Sequence, residues 1–155
     1  KKCNQILWKK MRLTKNFSLD ELTASGTAAR LGIDNTPNDI QLQNLRRLAE
    51  LLQQVRDHFK APIFINSGFR SKAINQAVGS TSKNSQHLLG CAADIRISGV
   101  SPKEGVQRII DAKIPYDQII CEFDSWIHIS VSNDPSDPPR QNALTIDKKG
   151  VRVFA

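Results

Sequence analysis

At 155 residues the chain is the size of one domain and long enough to bury a core. Its 39% apolar and 24% charged residues are ordinary for a soluble globular protein, and no apolar run approaches the ~18–20 residues needed to cross a bilayer. The net charge of +7 suits an acidic polymer as partner, but without a zinc-finger or Gly-aromatic pattern it does not indicate nucleic acid.

Much of that charge sits at the start, where Lys1, Lys2, Lys9 and Lys10 have no acid among them. The apolar stretch between them is too short for a signal peptide. Met11 is the only methionine, so residues 1–10 read as a leader or non-native extension and residues 11–155 as a single domain. Ser18-Leu19-Asp20-Glu21 has the form of a capping box and predicts a short helix. Residues 24–35, rich in Gly, Thr and Ser, read as loop. Thr36-Pro37-Asn38-Asp39 predicts the start of a long helix, with Thr36 as cap and Pro37 first inside. Leu45, Leu48, Leu52, Val55 and Phe59 then recur at three- and four-residue spacing, the stripe of a helix buried on one side. His58, near its end, reads as a helix-terminus residue, since a cation is favoured there.

Residues 62–66 read as a buried strand that ends in the turn Ser67-Gly68-Phe69-Arg70-Ser71. A short helix over 72–78 is stopped by Gly79, and a polar loop over 80–84 delivers the chain to His87. Cys91 to Ile97 is an apolar strand with Asp94 at its entry. Ser101-Pro102-Lys103-Glu104 opens another helix, with Val106, Ile109 and Ile110 inward. Residues 117–123 and 126–132 are β-like runs separated by a turn at Asp124-Ser125. The stretch 133–140 holds three prolines and is irregular, and the tail reads as a hairpin of 143–146 and 151–154. Three cysteines, an odd number, argue against a disulfide framework. Cys91 and Cys121 fall in apolar runs and read as small buried hydrophobes. Helices come mainly before and between strands that cluster in hairpins. The class is therefore α+β, a small antiparallel sheet with helices packed on one side.

On this frame two imidazoles and one carboxylate carry the chemistry. His87 precedes the strand that Asp94 enters, and His128 lies in Trp126-Ile127-His128-Ile129-Ser130. They are the ligand set of a catalytic zinc site that keeps its fourth position open. The small residues Gly90, Ala92 and Ala93 would let the loop approach the sheet and bring His87 level with Asp94. The pattern Ser-x-His-x-x-Gly-x-Ala-x-Asp over Ser85 to Asp94, followed by Trp-x-His-x-Ser, resembles the zinc D-Ala-D-Ala carboxypeptidase family, the M15 peptidases. The resemblance runs from Phe17 to Val131 and is nearest to the family's short, single-domain phage and bacterial branch.

That resemblance implies a Hedgehog/DD-peptidase-like fold and a Zn2+ ion held by His87, Asp94 and His128. It implies a monomer that hydrolyses peptide bonds in peptidoglycan stem peptides by metal-activated water. Either a D-Ala-D-Ala carboxypeptidase or an endolysin-type endopeptidase fits, and a zinc-containing, non-catalytic cell-wall binding module is the alternative. Such a protein is made in the cytoplasm of a bacterium or a phage-infected cell and acts at the cell wall or periplasm. The family also carries an Arg in a Ser-x-x-Arg-Ser turn. Arg70 is thus expected to grip a substrate carboxylate or polarise the scissile carbonyl, for which its planar fork is suited. Ser85 is expected to hydrogen-bond substrate or a ligand, or to cap the loop.

The general base departs from the family pattern. Many members place a carboxylate three residues before the second zinc His, where this chain has Ser125. Glu122 and Asp124 are the available acids. With Asp124 and Ser125 as a two-residue turn, Glu122 would pair with Ile127 and leave His128 one step out of register; a bulge or longer loop would bring it level. Glu122 has the longer reach and an apolar flank, so it is the expected base and Asp124 the runner-up.

Overall fold

The computed structural model describes residues 10–80 and 82–155. The expected leader therefore lies, apart from Lys10, outside the described residues. Helix α1 (Leu19–Thr23) opens on the anticipated capping box, in which the Ser18 hydroxyl accepts from the Glu21 amide and the Glu21 carboxylate accepts from the Ser18 amide. The stretch expected as loop after it contains a helix, α2 (Gly26–Leu31). Ser25 caps its start, and Gly32, left-handed at φ 65°, ends it. Helix α3 (Asp39–Phe59) begins later than expected because Asn38, not Thr36, is its cap. Asn38 and Gln41 bond reciprocally, whereas the Thr36 hydroxyl is taken up by Asp34. Its predicted stripe, Leu45 through Phe59, is buried throughout.

The strands are β1 (Ile63–Ser67), β2 (Ala92–Ile97), β3 (Gln118–Glu122), β4 (Trp126–Ser130), β5 (Asn142–Asp147) and β6 (Gly150–Val153), in the order β1-β2-β4-β3-β5-β6. Every neighbouring pair is antiparallel except β3 and β5. The sheet is thus mixed rather than purely antiparallel, because the proline-rich stretch returns the chain to lie alongside β3 in the same direction. Helix α4 (Lys72–Ala77) follows β1, and α5 (Pro102–Asp111) joins β2 to β3.

Side chains alternate along each strand, so the sheet has two unlike faces. Ala93, Ile95 and Ile97 of β2, Ile119 and Cys121 of β3, and Ile127 and Ile129 of β4 form one core with the α3 leucines and with Val106 and Ile109 of α5. Fully burying each Leu or Ile contributes about 1.5–3 kcal/mol. The helices therefore cover one side, as expected, and the chemistry is left to the other, where Asp94, His128, Ile120 and Glu122 lie. Cys91 and Cys121 are buried free thiols. Among the described residues no helix is long and apolar enough to cross a membrane.

Candidate active site

The register of three central strands assembles the site. Asp94 of β2 stands directly opposite His128 of β4, and His128 in turn stands opposite Ile120 of β3. A bulge in β1 sets Ser67 against Asp94 and turns the chain toward the Arg70 loop. His87 comes from outside the sheet, on a single 3₁₀ turn (Gln86–Leu89). Helix α3 holds that turn: the Gln41 and Asn44 side-chain amides donate to the carbonyls of Leu88 and Leu89. Gly90, left-handed at φ 77°, closes it, and a Cβ there would lie 2.7 Å from the Gln41 carbonyl oxygen. The close approach that requires glycine is thus to α3, not to the sheet as expected.

The ligating atoms of His87, Asp94 and His128 lie within 4.8 Å of one another. Asp94 Oδ1 is 3.4 Å from His87 Nε2 and 3.0 Å from His128 Nδ1. His87 Nδ1 is 2.8 Å from the Gly68 carbonyl oxygen, which can only accept, so Nδ1 carries the hydrogen. A neutral His87 then turns the Nε2 lone pair on the Asp94 carboxylate, an arrangement that calls for a cation between them. With a backbone carbonyl fixing the tautomer from behind, the donor set fits a divalent metal such as zinc. Burial works against the Asp94 carboxylate, but the bond from His128 and the imidazole surroundings outweigh it and hold the carboxyl below its ordinary range.

Gly68 belongs to the segment that carries Arg70. A Cβ at Gly68 would lie 2.3 Å from the Leu22 carbonyl oxygen, and the same carbonyl accepts from the Phe69 amide at 2.8 Å. The Arg70 amide donates to the His87 carbonyl at 3.1 Å. Asn35 clamps the loop from outside, donating to the carbonyls of Thr23 and Phe69 and accepting from the Ser71 amide. Arg70 thereby reaches the sheet's open face half-buried, with its Nε unpartnered. Desolvation loosens its proton, while the charges of Asp94 and Glu122 tighten it.

Glu122 does reach the face of His128, through a register other than the two-residue turn expected. Glu122 pairs with Trp126, so residues 123–125 form a three-residue turn, with Phe123 and Asp124 both left-handed at φ 53° and 46°. Two steps along β3 from Ile120, Glu122 lies diagonal to His128. Burial, and then the Asp94 charge, raise its pKa above the ordinary glutamate value; His128, Arg70 and the Trp126 indole pull it back. Asp124 is directed elsewhere, its carboxylate accepting from the Lys103 amide at the start of α5. The Ser85 hydroxyl caps the 3₁₀ turn, accepting from the His87 amide at 3.3 Å, and also lines the cleft.

That cleft, of about 800 Å³, contains Arg70, Ser85, His87, Asp94, Glu122 and His128 together. Gln86, Trp126 and Arg140 also belong to its wall and were not singled out from the sequence. Gln86 and Trp126 lay inside the quoted motifs without being read; Arg140 lies in an irregular stretch and gave no periodic signal. A model of the family described as peptidase M15 matches residues 15–130. The match takes in the three residues that could hold a metal, Arg70 and Glu122, and it ends before Arg140. No curated protein matches the chain.

Proposed function

The chain belongs to the peptidase M15 family, and from that premise we propose that it is a zinc metallopeptidase cutting peptidoglycan stem peptides at the cell wall. The observation that supports this most is the convergence of His87 Nε2, Asp94 Oδ1 and His128 Nδ1 in a cleft that also holds Glu122 and Arg70. Bound by these three residues, zinc supplies the Lewis acidity that activates water and polarises a carbonyl.

The chain's own residues do the rest. Glu122 takes a proton from the attacking water and returns it to the departing amine. Its partly buried setting raises its proton affinity toward a working range. It thus fills the role for which Ser125 has no carboxylate. Arg70, held by its loop with Nε unsatisfied, offers charged N–H groups to the developing oxyanion or to a terminal carboxylate. The Gly68 carbonyl keeps His87 in one tautomer through the cycle.

Mass spectrometry of purified muropeptides after incubation with the zinc-loaded protein tests this reading. The expected result is loss of a terminal residue or a cut within the stem, abolished by a chelator and restored by zinc. Muropeptides left intact by metal-loaded protein would overturn it.

A further inference from the structure

Asp117 is a buried acid outside the metal group. Its side chain is 3% exposed, while that of its partner Arg140 is 60% exposed. The Arg140 Nε and Nη2 groups donate to the Asp117 carboxylate at 2.8–3.2 Å, and the Arg140 amide donates to it at 2.9 Å. One edge of the guanidinium is thus fixed, and the Nη1 edge remains for another acceptor. Arg140 lines the same cleft as the metal group.

Gln86 joins the two sites, since it neighbours His87 in the chain and donates to Asp117. Its Nε2 faces three oxygens: Asp117 Oδ2 at 3.1 Å, the Val131 carbonyl at 3.1 Å and Asn133 Oδ1 at 2.8 Å. Those acceptors fix which way the amide points. They leave Gln86 Oε1, on a residue 9% exposed, buried in the cleft wall with no partner. That oxygen is closed to solvent, so what Gln86 offers the cleft is the hold of its Nε2 on the Asp117 carboxylate beneath Arg140.

We infer that this end of the cleft is a second anion subsite, separate from Arg70, where Arg140, positioned through Asp117 and Gln86, takes a free carboxylate of the peptide. The inference rests on the hydrolytic reading above and narrows its substrate class to stems that carry an acidic residue beside the cut. The planar free edge of a guanidinium matches a carboxylate. Arg140 lies beyond the stretch matched by the family model, whereas Gln86 and Asp117, which position it, lie within that stretch.

The test uses two stem peptides that differ at one residue, a free carboxylate in one and a carboxamide in the other. Cleavage by the zinc-loaded protein and equilibrium binding to zinc-loaded Glu122→Gln are both measured. The carboxylate peptide is expected to show about tenfold lower KM and tighter binding, the size of one solvent-accessible charge-assisted contact, with little difference in kcat. Arg140→Gln should collapse that preference toward unity. Because it strands the buried Asp117 charge, the Asp117→Asn, Arg140→Gln double variant serves as the folded comparison, checked by thermal unfolding and zinc content. Equal handling of the two peptides by the wild-type protein, or a preference surviving in the double variant, overturns the subsite. Absence of binding to either peptide overturns it as well. If neither peptide is cut yet the carboxylate form binds more tightly through Arg140, the hydrolytic reading fails and the subsite stands.

Discussion

Gly68→Ala probes how the Arg70 loop and His87, the proposed metal ligand, depend on one backbone contact. The added methyl would sit 2.3 Å from the Leu22 carbonyl oxygen, more than 1 Å inside ordinary van der Waals contact. Its neighbour is backbone rather than a side-chain tip, so the loop itself must move. Overpacking of this kind costs about 1–3 kcal/mol. Displacement also strains the 2.8 Å bond from the Phe69 amide to Leu22, worth about 1 kcal/mol net. The expected loss is therefore about 2–4 kcal/mol, read as a lower midpoint in urea denaturation with an unchanged slope. Because the Gly68 carbonyl is the partner of His87 Nδ1, zinc affinity should fall about 10–100-fold in a chelator competition. Gly26→Ala is the control, since a Cβ there meets nothing within 4 Å, and it should match the wild type in both assays. Gly68→Ala with the stability and zinc affinity of Gly26→Ala would refute the argument.

Arg70→Lys should retain zinc and lose activity, because an ammonium cannot reproduce the two-pronged contact; the expected loss is about 2–4 kcal/mol in kcat/KM. Wild-type turnover by Arg70→Ala would reduce Arg70 to a loop charge. Glu122→Gln should keep fold and zinc while losing at least ~10²-fold in rate, and Asp124→Asn should stay near normal. The reverse result would exchange their roles. As a base Glu122 must be ionised, so the rate falls as pH drops through its pKa. Burial raises that pKa, so in the wild-type protein the acid limb should lie above pH ~4.3, the ordinary glutamate value. An acid limb unchanged in Glu122→Gln would assign it to another group.

Local signals in the sequence were readable where one principle acted alone. The α3 stripe follows from helical spacing, and the Ser18–Glu21 box from reciprocal capping. The grouping of His87, Asp94 and His128 was legible because they stand in motifs of fixed spacing, and strand alternation then puts Asp94 and His128 on the face away from the core. What escaped depended on contacts between distant segments. The three-residue turn needs a left-handed Phe123, which is unfavourable for a bulky residue; there the Phe123 amide is held by the Ile146 carbonyl of β5 at 2.7 Å. The parallel pairing of β3 with β5 follows from the route of the 133–140 stretch, which has no periodicity to read. Asn35 and Arg140 likewise act through partners 34–36 and 23 residues away. Helix α2 was hidden by its brevity and its Gly, Thr and Ser content.

Metal stoichiometry tests the central claim most directly. Purified protein equilibrated with zinc and freed of loose ion should contain one zinc per chain by elemental analysis, with the His87→Ala, His128→Ala double variant near zero and still folded. One full equivalent of zinc retained by that variant would show that the ion is held elsewhere and contradict the account.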